Sequence, residues 1–225
     1  MKRAVSISLG SAERDKRVEI TLLGERVVIE RIGTDGDVER ATALYNELDG
    51  KVDALGVGGI DLSVGTDQRA YPIRAACRMV QGVRQTPVVD GRGLKYTLER
   101  QCIRHIEEAI GADLHPKRAM VNVGVDRYGM AQGLLEAGYE TVFGDLQFSL
   151  GIPIPLRGLR MLDVLLVILA PIAARLPIHM IYPTGKKQHE TIPRFTRWYR
   201  WATVIAGDCS YTKRHMPSTL PGKIT

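Results

Sequence analysis

The sequence predicts an α/β fold with parallel strands, divided between two domains. Apolar and β-branched runs of strand length alternate along the chain with segments whose apolar residues recur at helical spacing. Near the middle, a strand, a helix and a second strand follow one another within about thirty residues, which is the pattern of a βαβ unit and of a parallel sheet. A chain of 225 residues is long enough for two small domains.

The first part of the chain carries strand and helix signals in alternation. Two β-branched runs joined at Gly24 predict a hairpin. The cluster at 34–37 supplies N-cap residues for a helix that ends before Gly50. The predicted strands are 3–9, 17–23, 26–32, 54–57 and 86–89, and the predicted helices are 38–48, a segment within 71–83, and 97–110.

The second part contains the βαβ unit and then becomes irregular. Helical periodicity stops between Gly111 and Lys117, so we place the domains at 1–112 and 113–225. Prolines divide the chain beyond Gly151 into short pieces. The predicted elements are strand 118–123, helix 128–137, strand 140–143, strand 203–206, and the beginning of a strand at 222–225.

Neither the N-terminal stretch nor the apolar segment 159–176 predicts a secretory or membrane segment. The N-terminal apolar stretch is too short and too soon followed by charges for a signal peptide. The apolar segment 159–176 contains charged residues and Pro171, so its uncharged part is shorter than the roughly 20 residues of a membrane span. We expect a helix buried between other elements there. Cys77, Cys102 and Cys209 form no paired motif, which favours a reducing, cytoplasmic setting.

The net charge of +6 is concentrated at the C-terminus. Residues 182–225 hold eight lysines and arginines against two acidic residues, which accounts for the whole excess. Aromatic residues interleave with arginines between Phe195 and Trp201, and such a segment could stack on and neutralise nucleic acid. Their spacing favours instead an amphipathic helix with aromatic side chains inward. The five histidines show no metal-ligand spacing, so we expect no metal site.

The turn of the βαβ unit resembles a dinucleotide-binding loop. Gly124 and Gly129 occupy the first and third places of a G-x-G-x-x-G motif, while Asp126 replaces the middle glycine. Asp145 follows at the end of the next strand, near the spacing of about 20 residues expected for a ribose-binding acid. These residues, with Arg127 in the same turn, predict NAD binding in a Rossmann-like domain. The alternative is a βαβ unit whose turn needs glycines without any cofactor.

Residues 89–100 resemble a segment of the shikimate and quinate 5-dehydrogenase family, in which T-D-G-x-G-L/F-x-x-x-L ends the substrate domain. The chain is also similar to bacterial proteins labelled quinate 5-dehydrogenase. The resemblance covers about 89–145 and implies that Asp90 contacts the reacting hydroxyl of the substrate. The family's N-V-T-x-P-x-K segment, which holds its catalytic lysine, is absent here. Lys95 could replace that lysine, and the alternative is a solvated lysine in the first turn of a helix.

The same resemblance points to further substrate-binding positions. Ser6 and Ser8 have the spacing of the family's S-x-S segment but lie within the first strand. Asp61 follows the strand end at Gly58-Gly59, where parallel-sheet proteins bind ligands, although an aspartate there can equally form a turn.

Together these features imply an NAD-dependent oxidoreductase acting on a cyclic polyol carboxylate such as quinate or shikimate. Its first domain would bind substrate, and its second would be about half of a full dinucleotide domain. Because the lysine is missing, the sequence leaves enzyme activity undecided. The alternatives are a non-catalytic dinucleotide-binding or small-molecule-binding protein and a nucleic-acid-binding protein. We expect a small-molecule partner, no membrane span and the capacity to form a homo-oligomer, and we do not favour nucleic acid.

Overall fold

The computed structural model describes residues 1–66, 68–110, 114–177 and 191–225, which form two compact units. Both units contain parallel strands and helices, which confirms the predicted α/β class. The N-terminal unit holds Met1–Val64, Tyr71–Arg92 and a stretch that begins at Pro171, and the C-terminal unit holds Gly65–Ala70, Gly93–Ala170 and the described residues after 190.

The N-terminal unit is built on a sheet of order β2-β3-β1-β4-β7. Its strands run parallel except β2, which forms the predicted hairpin with β3 through Leu23 and Gly24, both at positive φ. Strands β5 and β6 pair apart from this sheet. In chain order the strands are β1 (Lys2–Ser8), β2 (Lys16–Leu22), β3 (Glu25–Gly33), β4 (Ala54–Gly58), β5 (Ser63–Gly65), β6 (Ala70–Pro72) and β7 (Val88–Val89).

One face of this sheet forms the first hydrophobic core. Helix α1 (Val38–Leu48) begins at its N-cap Asp37, whose side chain accepts a hydrogen bond from the Arg40 amide, and α2 (Arg74–Val80) follows β6. Both helices contribute to the core against alternate residues of β1 and β4. Its members include Val5, Ile7, Tyr45, Leu55, Val57, Ala76 and Met79.

The C-terminal unit is built on a sheet of order β10-β9-β8-β11. Strands β8 (Arg118–Val121), β9 (Glu140–Phe143) and β11 (Val204–Ala206) are parallel, while β10 (Leu156–Arg157) is antiparallel to β9. The predicted βαβ unit is therefore present. The helices are α3 (Arg92–Tyr96), α4 (Leu98–Ile110), α5 (Tyr128–Glu136), a π-helical turn at Asp145–Ser149, α6 (Leu159–Ala173), α7 (Thr196–Trp201) and α8 (Cys209–His215).

Both faces of the second sheet are covered, as a parallel sheet requires. Ile103, Leu134 and Leu162, from α4, α5 and α6, pack with β8 and β9 on one face. The other face holds a smaller core that includes Met120, Phe148, Tyr199 and Ile205.

The compact units divide at Arg92/Gly93, about twenty residues before the predicted boundary at 112/113. The boundary lies earlier because helix α4 belongs to the second unit. The apolar face of α4, which includes Ile103, packs in the second core rather than the first. The break in periodicity after Ile110 marks the end of a helix inside the second unit.

Helix α6 corrects the expectation of a helix buried between other elements. Leu162, Leu166 and Ala170 are buried, but Val164 and Ile168 on its other side are 49% and 58% exposed. Within the described ranges, every helix lacks the length and apolar character that a membrane span requires.

The aromatic segment near the C-terminus packs inward, in agreement with the interpretation favoured from its spacing. Tyr199 is fully buried, and Phe195, Trp198 and Trp201 contact the same core. Arg197 lies over the Trp198 ring, 4.7 Å from its centroid. Residues 184–187, which include Lys186 and Lys187, lie outside the described residues.

Candidate functional site

The carboxyl edge of the N-terminal sheet has the geometry of a ligand site in α/β proteins. Strand β1 lies between β3 and β4, so the strand order reverses beside β1. Ligands of open parallel sheets bind outside the carboxyl ends of strands at such a reversal. Asp61 and Asp90, both predicted from the sequence, lie at this carboxyl edge: Asp61 follows β4, which borders β1, and Asp90 follows the outer strand β7.

Asp90 connects the segment after β4 to the segment after β7 through hydrogen bonds. Its Oδ2 accepts a hydrogen bond from the Leu62 amide at 2.9 Å, and its Oδ1 accepts one from the Arg92 amide at 3.1 Å. The Arg92 guanidinium in turn donates to Ser63 Oγ. We call Asp61, Ser63, Asp90 and Arg92 the Asp90 cluster, and all four are only partly buried.

The sequence reasoning missed Arg92 and Ser63. Arg92 stands two residues after Asp90 in the segment that carries the family resemblance, so a search for a cation near the predicted aspartate could have found it. Ser63 has no comparable signal, because only the fold brings the loop after β4 to the end of β7.

Ser6 and Ser8 lie on the face of the sheet opposite the first core. The hydroxyl of Ser8 is buried and accepts hydrogen bonds from the Gly10 amide at 3.1 Å and from Arg31 at 3.0 Å. A Cβ at Gly58 would lie 2.8 Å from the Ser8 Cβ, so that glycine makes room for the serine. Ser8 thus holds the turn after β1, and its predicted contact with substrate stays a prediction, as does that of Ser6.

In the C-terminal unit, Asp145 closes the turn between β8 and α5. Its two carboxylate oxygens accept hydrogen bonds from the amides of Gly124 and Val125, each at 2.9 Å. Asp145 is only 3% exposed, and this burial raises its pKa from 3.8 to about 6, although the amide bonds favour the charged form. The sequence predicts a ribose contact for Asp145, whereas its contacts here belong to the turn.

The two motif glycines are required by packing. A Cβ at Gly124 would lie 2.8 Å from the Phe143 ring and 2.9 Å from Leu162. A Cβ at Gly129 would lie 2.0 Å from the carbonyl oxygen of Lys95, which shows how closely α5 approaches α3. The alternative explanation, a βαβ unit that needs glycines without a cofactor, accounts for both positions.

Arg127 and Lys95 belong to an ion network at the same turn. Arg127 pairs with Glu99, with Asp208 at 3.1 Å and with Asp126 at 3.1 Å. The Lys95 ammonium lies 2.8 Å from Asp126, and its side chain is 13% exposed. Burial disfavours the charge of Arg127, but these carboxylates raise its pKa.

This network corrects the alternative of a solvated lysine, because the Lys95 ammonium is paired with Asp126. The catalytic role of Lys95 stays a prediction. Lys95 and Asp90, the two predicted catalytic residues, belong to different compact units.

The turn after β8 does not fit a pyrophosphate. A dinucleotide loop offers backbone amides to phosphate oxygens, and here the amides of Gly124 and Val125 already bind the Asp145 carboxylate. The carboxylates of Asp126 and Asp208 lie at the same turn and would repel a further anion.

A buried polar cluster also lies at the end of β8. The Asn122 amide donates to the Tyr199 hydroxyl at 2.7 Å and accepts from Thr212 at 3.4 Å. Burial raises the pKa of Tyr199 to about 12. Gln147 in the π-helical turn is fully buried, and neither of its side-chain amide atoms has a hydrogen-bond partner within the described part of the chain. Among the described residues, no three histidine, cysteine, aspartate or glutamate side chains lie together as a possible metal site.

Solved structures to which this chain is similar at low identity include two malic enzymes. One, whose assignment as a malic enzyme (malate oxidoreductase) is provisional, is 11% identical with a TM-score of 0.37 over 92% of this chain and 53% of its own. The malic enzyme of Entamoeba histolytica is 10% identical with a TM-score of 0.41 over 97% of this chain and 48% of its own. The chain therefore spans about half the length of either enzyme.

A search of curated proteins finds no match. Two family models match the sequence, and they meet near the division between the compact units. Residues 3–90 match the family described as "Domain of unknown function (DUF8753)". Residues 93–225, more than half of the chain, match another, and the chain accordingly belongs to the family described as "Domain of unknown function (DUF8754)".

Proposed function

We propose that this protein binds a small hydroxylated carboxylic acid of the quinate or shikimate kind at the Asp90 cluster. The observation that carries the proposal is the contact between Asp90, Arg92 and the loop after β4 at the carboxyl edge of a parallel sheet. The Arg92 guanidinium and the Asp90 carboxylate belong to one hydrogen-bonded group there, and Asp61 precedes Leu62 of that group in the chain, which suits a ligand with one carboxylate and several hydroxyl groups.

The Asp90 carboxylate has capacity for such a ligand. A carboxylate offers about four acceptor positions, and one backbone amide binds each oxygen of Asp90, so ligand hydroxyl groups can still donate to it. A guanidinium carries five N–H donors and binds carboxylates in a bidentate manner. In this arrangement Arg92 holds the ligand carboxylate, while Asp90 and Asp61 orient its hydroxyl groups.

Titration calorimetry with quinate and with shikimate tests this proposal. We expect Arg92→Ala and Asp90→Asn to weaken binding by at least about tenfold, because a hydrogen bond to a charged group contributes about 1.5–3 kcal/mol. Arg104→Ala removes a 65% exposed arginine and serves as the matched control. Absence of binding to either acid, or equal binding by Arg92→Ala and the control, would contradict the proposal.

NAD-dependent oxidation of the same ligand is a second candidate function. The observation in its favour is the β8-α5-β9 unit with β11 on the other side of β8, since dinucleotides bind where strand order reverses in this way. The observation against NAD binding is that the amides of Gly124 and Val125 already bind the Asp145 carboxylate. Titration with NAD, followed by tryptophan fluorescence, and an assay for reduced nicotinamide with quinate test it. A response to NAD that Asp145→Ala abolishes, with turnover, would support oxidation, while binding of quinate without turnover would favour the first proposal.

A further inference from the structure

Strand β2 is an edge strand that is exposed on both faces. It forms the outer strand of the N-terminal sheet, and all seven of its residues are exposed. The opposite edge strand, β7, is only two residues long. A long exposed edge presents unpaired backbone donors and acceptors, which is the template for pairing with another strand.

Apolar side chains line one face of this edge. Val18, Ile20 and Leu22 alternate along β2 and are 36%, 40% and 53% exposed. Val18 pairs with Ile29 of β3, which is 40% exposed on the same face. Leu23, in the hairpin turn, is 97% exposed although its backbone has a φ of 51°. Asparagine or glycine is usual at such a position, so a fully exposed leucine there is unexpected for a surface that meets only water.

The other face of β2 carries two opposite charges that are two residues apart. Arg17 and Glu19 flank Val18, and both are exposed. When two copies of a strand pair antiparallel about a twofold axis at one residue, the residues before and after that residue face each other across the junction. An axis at Val18 therefore places each Arg17 opposite a glutamate.

We propose that two copies of this chain associate through antiparallel pairing of their β2 strands, with the twofold axis at Val18. Arg17 then pairs with Glu19 of the partner subunit, and the reciprocal pair forms on the other side of the axis. Val18 meets Val18 of the partner subunit on the apolar face, and Ile20 lies opposite Lys16 of the partner subunit, whose aliphatic stem can cover it. The two five-stranded sheets become one continuous sheet.

Charge selects this register over its neighbour. An axis at Glu19 would place Glu19 directly opposite Glu19 of the partner subunit, and like charges directly opposite each other destabilise a strand pair. An axis at Val18 produces two favourable pairs and no like-charge contact between these residues. The other described contact of Glu19, an ion pair with Arg26 of the same chain, is a separate interaction that the test must control.

Sedimentation velocity across a series of protein concentrations tests the register by charge exchange. We expect wild type to dimerise, and Arg17→Glu or Glu19→Arg alone to raise the dimer dissociation constant by about tenfold, since each creates two like-charge pairs. The double variant Arg17→Glu with Glu19→Arg restores opposite pairing and should return the dissociation constant to within about threefold of wild type. Arg26→Gln removes only the ion pair within the chain and should leave the dimer intact.

Ile20→Lys supplies a second, independent readout because it places a charge on the apolar face. The variant should be monomeric, and its circular dichroism spectrum should match that of wild type. A wild-type protein that is monomeric at every concentration would overturn the proposal. So would a double variant that dissociates as readily as the two single variants, because the register then cannot be the one at Val18.

Discussion

At the scale of single residues, Asp145 shows how burial and hydrogen bonding compete at one carboxyl group. Two backbone amides stabilise its charged form, while its removal from water disfavours that form more strongly. The net result is a pKa raised to about 6. Asp145 is therefore a constraint on the turn after β8 whose energetic contribution depends on pH.

This balance predicts a pH dependence of stability that Asp145→Asn removes. A folded-state pKa above the unfolded value means that the native state binds the proton more tightly, so the contribution of Asp145 is present below pH 4 and is lost as pH rises through about 6. We expect wild type, relative to Asp145→Asn, to lose about 3 kcal/mol of unfolding free energy across that window, as the pKa difference implies.

Urea unfolding of both proteins at a series of pH values measures this difference. Glu108→Gln, which removes a 63% exposed carboxylate, controls for the loss of a negative charge at the surface. A difference between wild type and Asp145→Asn that stays constant from pH 4 to pH 7 would show that Asp145 is not buried in the way described.

At the scale of secondary-structure elements, α5 owes its position to two glycines. Gly129 and Gly133 are four residues apart and so lie on one side of the helix. A Cβ at either position would lie 2.0 Å from a backbone carbonyl oxygen, of Lys95 and of Arg100 respectively. These contacts bring α5 against α3 and α4 at a distance that no other residue type permits.

Alanine substitution at these glycines should destabilise the protein although alanine is the better helix former. We expect Gly129→Ala and Gly133→Ala each to cost at least about 1–3 kcal/mol, because neither backbone carbonyl can move without displacing its helix. Gly93→Ala in α3 meets no atom within 4 Å and should be neutral or stabilising by up to about 1 kcal/mol. Thermal unfolding of the three variants provides the comparison, and equal effects at the three sites would contradict the close approach.

At the scale of the whole molecule, each unit has its own core. Each core contains a buried tyrosine whose hydroxyl binds a backbone carbonyl of another element. The Tyr45 hydroxyl donates to the carbonyl of Ile7 at 3.0 Å in the N-terminal unit. The Tyr199 hydroxyl accepts from Asn122 and donates to the carbonyl of Thr212 at 3.3 Å in the C-terminal unit. Burial raises the pKa of both hydroxyls.

Removal of these two hydroxyls should have additive effects. Tyr45→Phe and Tyr199→Phe should each cost about 1–2 kcal/mol, because each leaves a buried polar group without its partner. The double variant should lose the sum within about 0.5 kcal/mol, since the two tyrosines share no hydrogen-bond partner. Denaturant unfolding of the four proteins measures this, and a larger deviation from the sum would reveal coupling between the two sites.

Local patterns were sufficient for most of the secondary structure. Asp37 caps the start of helix α1, and Gly50 follows its end. Gly24 permits the hairpin through its positive φ. The β8-α5-β9 unit follows from periodicity alone. Capping and turn preferences act between residues that are close in sequence, so they can be found without knowledge of the fold. The domain boundary could not be found in this way, because the apolar face of α4 does not show which core it joins.

The sequence by itself determined the α/β class, the β8-α5-β9 unit, the main strands and helices before Gly111, and the position of Asp90 and Asp61 as acids after strand ends. Only the tertiary structure decided what the surrounding residues do. It joined Asp90 to Leu62 and Arg92, bound Asp145 to the turn that was predicted to hold phosphate, and paired Lys95 with Asp126. The physical reason is that a carboxylate's role depends on which donors surround it, and those donors come from segments distant in sequence.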